Sequence, residues 1–194
     1  MAQHRPPKPL RLFIAATPSE EWRGRALAML DSMQLPEHKA TGIEQLHLTV
    51  LFLGERRPGL MPDILESVTA AARSVPAFSL EPVRLIALPE EGMARLVAVE
   101  MSAPTALLEL QKRLASRLVK EEKRSGKFVP HLTLCRFGGM GVERSLLPKR
   151  DEANEAAMLK QLGAFQVREI SLVSSVLHPK GARHTVEHVA KVGA

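Results

Sequence analysis

The side chains in this sequence best suited to moving protons occur twice, in one short pattern. His47-Leu48-Thr49-Val50 lies in the apolar run from Leu46 to Gly54, and His131-Leu132-Thr133-Leu134 in the run from Phe128 to Arg136, 84 residues further on. Imidazole titrates near neutrality, so of two rings facing each other across a cleft one can take a proton while the other gives one. Each threonine can offer a hydroxyl to a phosphate oxygen. An in-line phosphoryl displacement needs these parts: a base for the attacking oxygen, an acid for the leaving oxygen, and donors for the equatorial oxygens. A single His-x-Thr in a strand is ordinarily structural, with the ring satisfied by backbone and the threonine present for its β-propensity. The second copy, in an equivalent context half a chain away, tips the balance to function.

Other candidates rank lower. There is no H-E-x-x-H, no carboxylate cluster beside either histidine and no zinc-ligand spacing, so neither a metal nor a cofactor is expected. Cys135 is the sole cysteine, which rules out an internal disulfide. Alternation puts it on the His131 face as a thiol nucleophile, but a small core hydrophobe is the preferred reading. Gly138-Gly139-Met140-Gly141 lacks the Gly-Lys-Ser/Thr ending of a phosphate loop and reads as a turn. His178, His184 and His188 surround a turn at 179–181 and read as surface residues, with His184 able to approach a ligand. By strict alternation Arg136 lies opposite His131 and reaches the same cleft only if the strand ends or bulges there.

Both motifs sit in β-favouring runs and read as strands, on which His and Thr share one face and the leucines take the other. A buried strand is expected over 10–16, followed by a helix with Ser19 as N-cap and Leu27, Leu30 and Met33 as its apolar stripe. The first motif strand spans about 43–53, and a helix about 62–73. Strands are expected over 78–87, where Pro82 requires an edge or a bulge, and over 95–101. Pro104 opens the longest helix, with Leu107, Leu110, Leu114 and Leu118 inward, and the charged run at 120–127 reads as a solvated helix end. The second motif strand spans about 128–137. A loop to about 151, a short helix to about 163, and strands over 167–177 and 185–192 complete the order. That succession is α+β with two related halves, strands lining the centre and helices outside.

Composition sets the limits. The 194 residues, 45% hydrophobic and 25% charged, make one domain or two tightly packed lobes. No apolar stretch approaches a membrane span, residues 1–9 read as a flexible basic leader rather than a signal peptide, and cytoplasmic residence follows. The net charge of +6 favours anionic partners such as RNA, a weak signal because a merely basic soluble surface carries the same charge. One Trp, six Phe and no Tyr leave little for a large base-stacking platform.

The sequence resembles the 2H phosphoesterase superfamily, and within it the RNA 2′,3′-cyclic phosphodiesterases also called 2′-5′ RNA ligases. The likeness rests on the opening strand Arg11-Leu-Phe-Ile-Ala15, both motifs in their full strand contexts, and Ser175-Val-Leu with the later Gly181. It implies a bilobal, pseudo-twofold fold in which two antiparallel-rich sheets face a central cleft, a single domain of interleaved lobes over 1–194, and metal-independent catalysis. It implies hydrolysis of RNA ends bearing a 2′,3′-cyclic phosphate to a 2′-phosphate by a monomer without an obligate protein partner. His47 would then be the proton donor to the leaving 3′ oxygen and His131 the proton acceptor that activates water, with Thr49, Thr133 and Arg136 holding the phosphate. The rivals are ATP-independent 2′-5′ joining of RNA ends, hydrolysis of another cyclic phosphate or a 2′-5′ oligonucleotide, and a noncatalytic RNA-end binder. The chain departs from the family where Ala40–Gln45 replaces an aromatic and an Asn before the first motif. It departs again where His184 stands near the place of a Tyr.

Overall fold

The computed structural model describes residues 8–119, 128–176, 178 and 181–193; residues 1–7 of the leader, the charged run at 120–127 and most of the turn at 179–181 lie outside them. The first strand, β1 (Leu10–Ala16), alternates core-facing Leu12, Ile14 and Ala16 with Phe13 and Ala15 on the opposite face. Ser19 caps α1 (Glu20–Ser32) as expected, its hydroxyl accepting the Trp22 N–H at 3.3 Å and satisfying one of the unpaired donors at a helix start. A short strand β2 (His38–Ala40) and a 3₁₀ turn over Ile43–Gln45 follow, so the first half of the expected 43–53 strand is not β. Strand pairing begins only at β3 (Leu48–Arg56), because residues 43–47 are held by turn bonds and not by a neighbouring strand.

α2 (Met61–Arg73) buries Ile64, Val68, Ala71 and Ala72. The expected 78–87 strand is two strands, β4 (Phe78–Leu80) and β5 (Pro82–Leu88), broken where Pro82 denies the ladder a donor; β5 is an edge strand with a bulge between Pro82 and Arg84. β6 (Leu96–Met101) leads into α3 (Thr105–Leu118), which buries Leu107, Leu110 and Leu114. β7 (His131–Phe137) starts at the histidine itself. α4 (Glu152–Leu162), capped by Asp151, stops at Gly163, whose φ of 68° suits glycine. The expected 167–177 strand is again two, β8 (Phe165–Val167) and β9 (Glu169–Val176), before β10 (Arg183–Lys191).

The large sheet runs β10-β9-β1-β3-β7-β6-β5, with β2 added to β7, and β4 and β8 form a small sheet of their own. β3 and β7 share a single pair, Leu48 with Leu132, the central residues of the two motifs. The small sheet is likewise centred on one pair, Ser79 with Gln166. A pseudo-twofold axis through both pairs exchanges β1-α1-β3-α2-β4-β5 with β6-α3-β7-α4-β8-β9. The last strand of each repeat pairs with the first strand of the other: β5 with β6, and β9 with β1. The helices exchange in the same sense, α1 packing on α4 and α2 on α3. The fold is therefore mixed α and β, and the two antiparallel-rich sheets of the expectation meet as half-sheets at one residue pair.

Polar ties hold the helices to this frame. The Trp22 indole donates to the Gly163 carbonyl at 2.8 Å, joining α1 to the end of α4. Glu155, buried on α4, accepts the Leu85 N–H at 2.8 Å and pairs with Arg150, fixing the helix to the edge strand β5. Leu48 and Leu132 are fully buried in the main core. Their truncation leaves cavities at equivalent points of the duplicated fold, so Leu48→Ala and Leu132→Ala are each expected to lower the unfolding free energy by about 3 kcal/mol, measured by urea denaturation.

Candidate active site

The Leu48–Leu132 pair decides where the polar residues of both motifs lie. With the leucines turned into the core, their neighbours His47, Thr49, His131 and Thr133 face the other way, and all four line one cavity of about 1070 Å³. Continuing the antiparallel register sets His47 opposite Thr133 and Thr49 opposite His131. The four residues thus make a two-by-two patch, with the histidines on one diagonal and the threonines on the other.

Both rings are oriented by the same local device. His47 Nδ1 donates to the carbonyl of Gln45 at 2.6 Å, and His131 Nδ1 to that of Val129 at 2.8 Å, each acceptor two residues upstream. A donor at Nδ1 leaves Nε2 as the working atom of each neutral ring. The bend that brings each carbonyl back comes from the segment before the strand: the 3₁₀ turn over Ile43–Gln45 in one repeat and the approach through Pro130 in the other.

A β-bulge follows each threonine. Ala15 pairs with Thr49 but Ile14 with Leu51, leaving Val50 extra; Ala98 pairs with Thr133 but Val97 with Cys135, leaving Leu134 extra. An extra residue reverses the alternation beyond it. Cys135 is consequently turned into the core and fully buried, off the His131 face that simple alternation gave it. Arg136 is turned outward into the cavity, the outcome for which the sequence required a bulge. The counterpart of Arg136, three residues after Thr49, is Phe52, which lines the same cavity with 66% of its surface exposed. Superposing the two motifs, His-Leu-Thr-Val-Leu-Phe on His-Leu-Thr-Leu-Cys-Arg, would have identified Phe52 from sequence.

The surroundings make the two rings unequal. Phe13 stacks on His47 with centroids 4.8 Å apart, and His184 stands edge-on to both, 5.4 Å from His47 and 5.1 Å from Phe13. His184 is therefore half-buried in the cavity wall instead of lying on the surface. Gln45 joins these parts: its carbonyl holds the His47 ring while its side-chain amide donates to the Ala182 carbonyl, two residues before His184. His188 also has a partner, the Thr69 hydroxyl on α2 at 2.9 Å. The roles of Phe13 and Gln45 depend on contacts between distant segments and left no local mark in the sequence.

Burial lowers the pKa of His47 to about 4; the Gln45 carbonyl opposes this shift, and the positive charges of His184, His131 and Arg136 add to it. Burial also lowers His184. Among the described residues, Arg11, Lys39, Lys112 and Arg136 line the cavity and no Asp or Glu does, which makes this lining electropositive. Among the described residues no group of three or more His, Cys, Asp or Glu side chains is arranged to hold a metal ion, and no helix is long and apolar enough to cross a membrane. The arrangement can bind an anion between two imidazoles, with hydroxyl donors beside each.

Residues 14–178 match the family model described as the 2′-5′ RNA ligase superfamily. The RNA 2′,3′-cyclic phosphodiesterase of Archaeoglobus fulgidus is 28% identical over 174 residues, 89% of this chain and 94% of that one. The enzyme of the same name from Methanocaldococcus jannaschii is 23% identical over 185 residues, 91% and 98% of the two chains. Among solved structures, TT0787 of Thermus thermophilus superposes with a TM-score of 0.78 at 28% identity, covering 95% of this chain and 98% of that one. Escherichia coli LigT with 3′-AMP superposes with a TM-score of 0.73 at 22% identity, covering 96% and 100%, a likeness of fold.

The lowered His47 pKa has a consequence for stability. As pH falls below 6.5 the unfolded chain takes up a proton that the folded ring refuses until about pH 4. The neutral ring's contribution is complete above pH 6.5 and is lost between 6.5 and 4, about 3 kcal/mol in all. Urea denaturation across that window should show the native protein losing about this much more stability than His47→Gln.

Proposed function

The chain belongs to the 2′-5′ RNA ligase superfamily, and from that membership we propose that it hydrolyses the 2′,3′-cyclic phosphate ends of RNA to 2′-phosphates by two-histidine acid–base catalysis without a metal. The observation that carries this reading is the pair of imidazoles whose Nδ1 atoms are both tied to backbone carbonyls, so that two Nε2 atoms serve one electropositive cavity. The curated relatives reported above bear the same activity in their names.

The site's parts match the steps of the reaction. His131 Nε2 takes a proton from water as the water oxygen forms its bond to phosphorus. The bond from phosphorus to the 3′ oxygen breaks in line, and His47 Nε2–H delivers a proton to that oxygen, leaving a 3′-hydroxyl and a 2′-phosphate. Thr49 and Thr133 donate to the non-bridging oxygens, and the Arg136 guanidinium adds charge where it develops. The desolvation that disfavours the His47 imidazolium also makes it a strong acid. The negative charge of the entering phosphate supplies the stabilisation that lets it carry the proton. The exposed Phe52 ring offers a face on which the terminal base can stack. One chain supplies every residue of this site, which supports a monomer, and RNA end-processing fits a cytoplasmic enzyme.

Incubation of a 2′,3′-cyclic-ended oligoribonucleotide with the protein in EDTA is expected to give the 2′-phosphate. Survival of the cyclic end, or a 3′-phosphate as sole product, would overturn the reading. His47→Ala and His131→Ala should each lower kcat by about 10³-fold, in the range for loss of one proton-transfer group. Near-native rates in either variant would reject the two-histidine mechanism, and binding that persists in the double variant without turnover by the native protein would favour an RNA-end binder.

A further inference from the structure

The cavity extends well past the two imidazoles, and its far wall is built by three residues outside the catalytic patch. Arg11 on β1 pairs with Ser175 on β9, and Ser175 pairs with His184 on β10, so the three form one row across adjacent strands. Directly paired residues point to the same face, and alternation puts this row on the cavity face, beside the row of Phe13, Val173 and Val186. All three line the cavity. Adjacent strands lie about 4.8 Å apart, so a guanidinium, a hydroxyl and an imidazole converge within a span of roughly 10 Å.

The row's position relative to the catalytic patch identifies what it would hold. Phe13 stacks on His47, and the Arg11 row lies two residues along the strands from Phe13, about 6.8 Å. That is close to one nucleotide step of an extended strand. Although His184 stands on the edge strand β10, its ring is 5.4 Å from that of His47, so the row adjoins the anion site through that ring. The Gln45 amide fixes the segment entering β10 through Ala182. Glu55 on β3, paired with Arg11, shares its face but does not line the cavity. Among the described residues the lining of this wall thus offers hydrogen-bond donors and positive charge.

We propose that Arg11, Ser175 and His184 form a second anion subsite that binds the internucleotide phosphodiester preceding the cyclic end, making an oligonucleotide of at least two residues the preferred substrate. The proposal rests on the cyclic phosphodiesterase reading and deepens it. Arg11 supplies fixed charge, while Ser175 Oγ and a His184 ring N–H donate to the two non-bridging oxygens.

Three substrates with the same terminal nucleotide test it: the nucleoside 2′,3′-cyclic phosphate, the dinucleotide ending in that cyclic phosphate, and the dinucleotide with an uncharged methylphosphonate linkage. The native protein should show kcat/KM at least tenfold higher for the natural dinucleotide than for the mononucleotide. The methylphosphonate should fall to the mononucleotide level. Arg11→Met, a change at an exposed position, should remove most of the dinucleotide advantage while the mononucleotide rate stays within about twofold. Its dinucleotide KM should also lose about 0.7 from the slope against log salt, the share of one single-strand phosphate contact. Equal kcat/KM for mono- and dinucleotide, a methylphosphonate as good as the diester, or an equal loss on all substrates in Arg11→Met would each overturn the subsite. Failure of the native protein to turn over any of the three would instead remove the phosphodiesterase reading, and the subsite with it.

Discussion

One cross-strand pair, Leu48 against Leu132, is the contact on which the site depends. Burying both leucines is favourable by the apolar surface they remove from water, and in a pleated strand burying one residue turns its neighbours the other way. Antiparallel pairing at that single point then interleaves two histidines and two threonines into one patch. A slip of one residue in either strand would send a histidine into the core and a leucine into the cleft. The hydrophobic effect at one point thus sets the register of the groups proposed to be catalytic.

Around that point the chain duplicates itself, and each copy completes the other. Because β5 pairs with β6 and β9 with β1, neither half-sheet can be assembled from one repeat alone. The cavity walls consequently come from both ends of the chain: β1 and β3 from the beginning, β9 and β10 from the end. This is how Gln45 comes to bond Ala182 across 137 residues.

Symmetry gives two equivalent imidazoles, but the proton transfer proposed needs inequivalent ones, one that gives and one that takes. The structure supplies the difference through what was added to the repeat. Among the described residues β10 has no counterpart in the other half, and it brings His184 against His47, where Phe13 already covers one ring face. An imidazolium at His47 is thereby poorly solvated and beside a second titratable ring, a poor place to store a proton and a good one from which to release it. The same division appears three residues past each threonine, where Arg136 offers charge and Phe52 an aromatic face.

Much of this was legible in the residues themselves. Period-two patterning separated the leucine face from the His/Thr face, Ser19 marked the start of α1, the stripe of Leu107, Leu110 and Leu114 marked α3, and Pro82 marked an edge with a bulge. These are local properties, set by alternation, capping and the donor that proline lacks, and a sequence carries them wherever it folds. What the tertiary structure decided is non-local. The pairing of Leu48 with Leu132, the exchange of last strands between repeats, and the approach of Phe13 and His184 to His47 depend on segments far apart in the chain. The bulges at Val50 and Leu134 belong to this second class, because an unpaired residue exists only relative to the strand it fails to pair with. They buried Cys135 and brought Arg136 into the cavity, two placements that strict alternation had reversed.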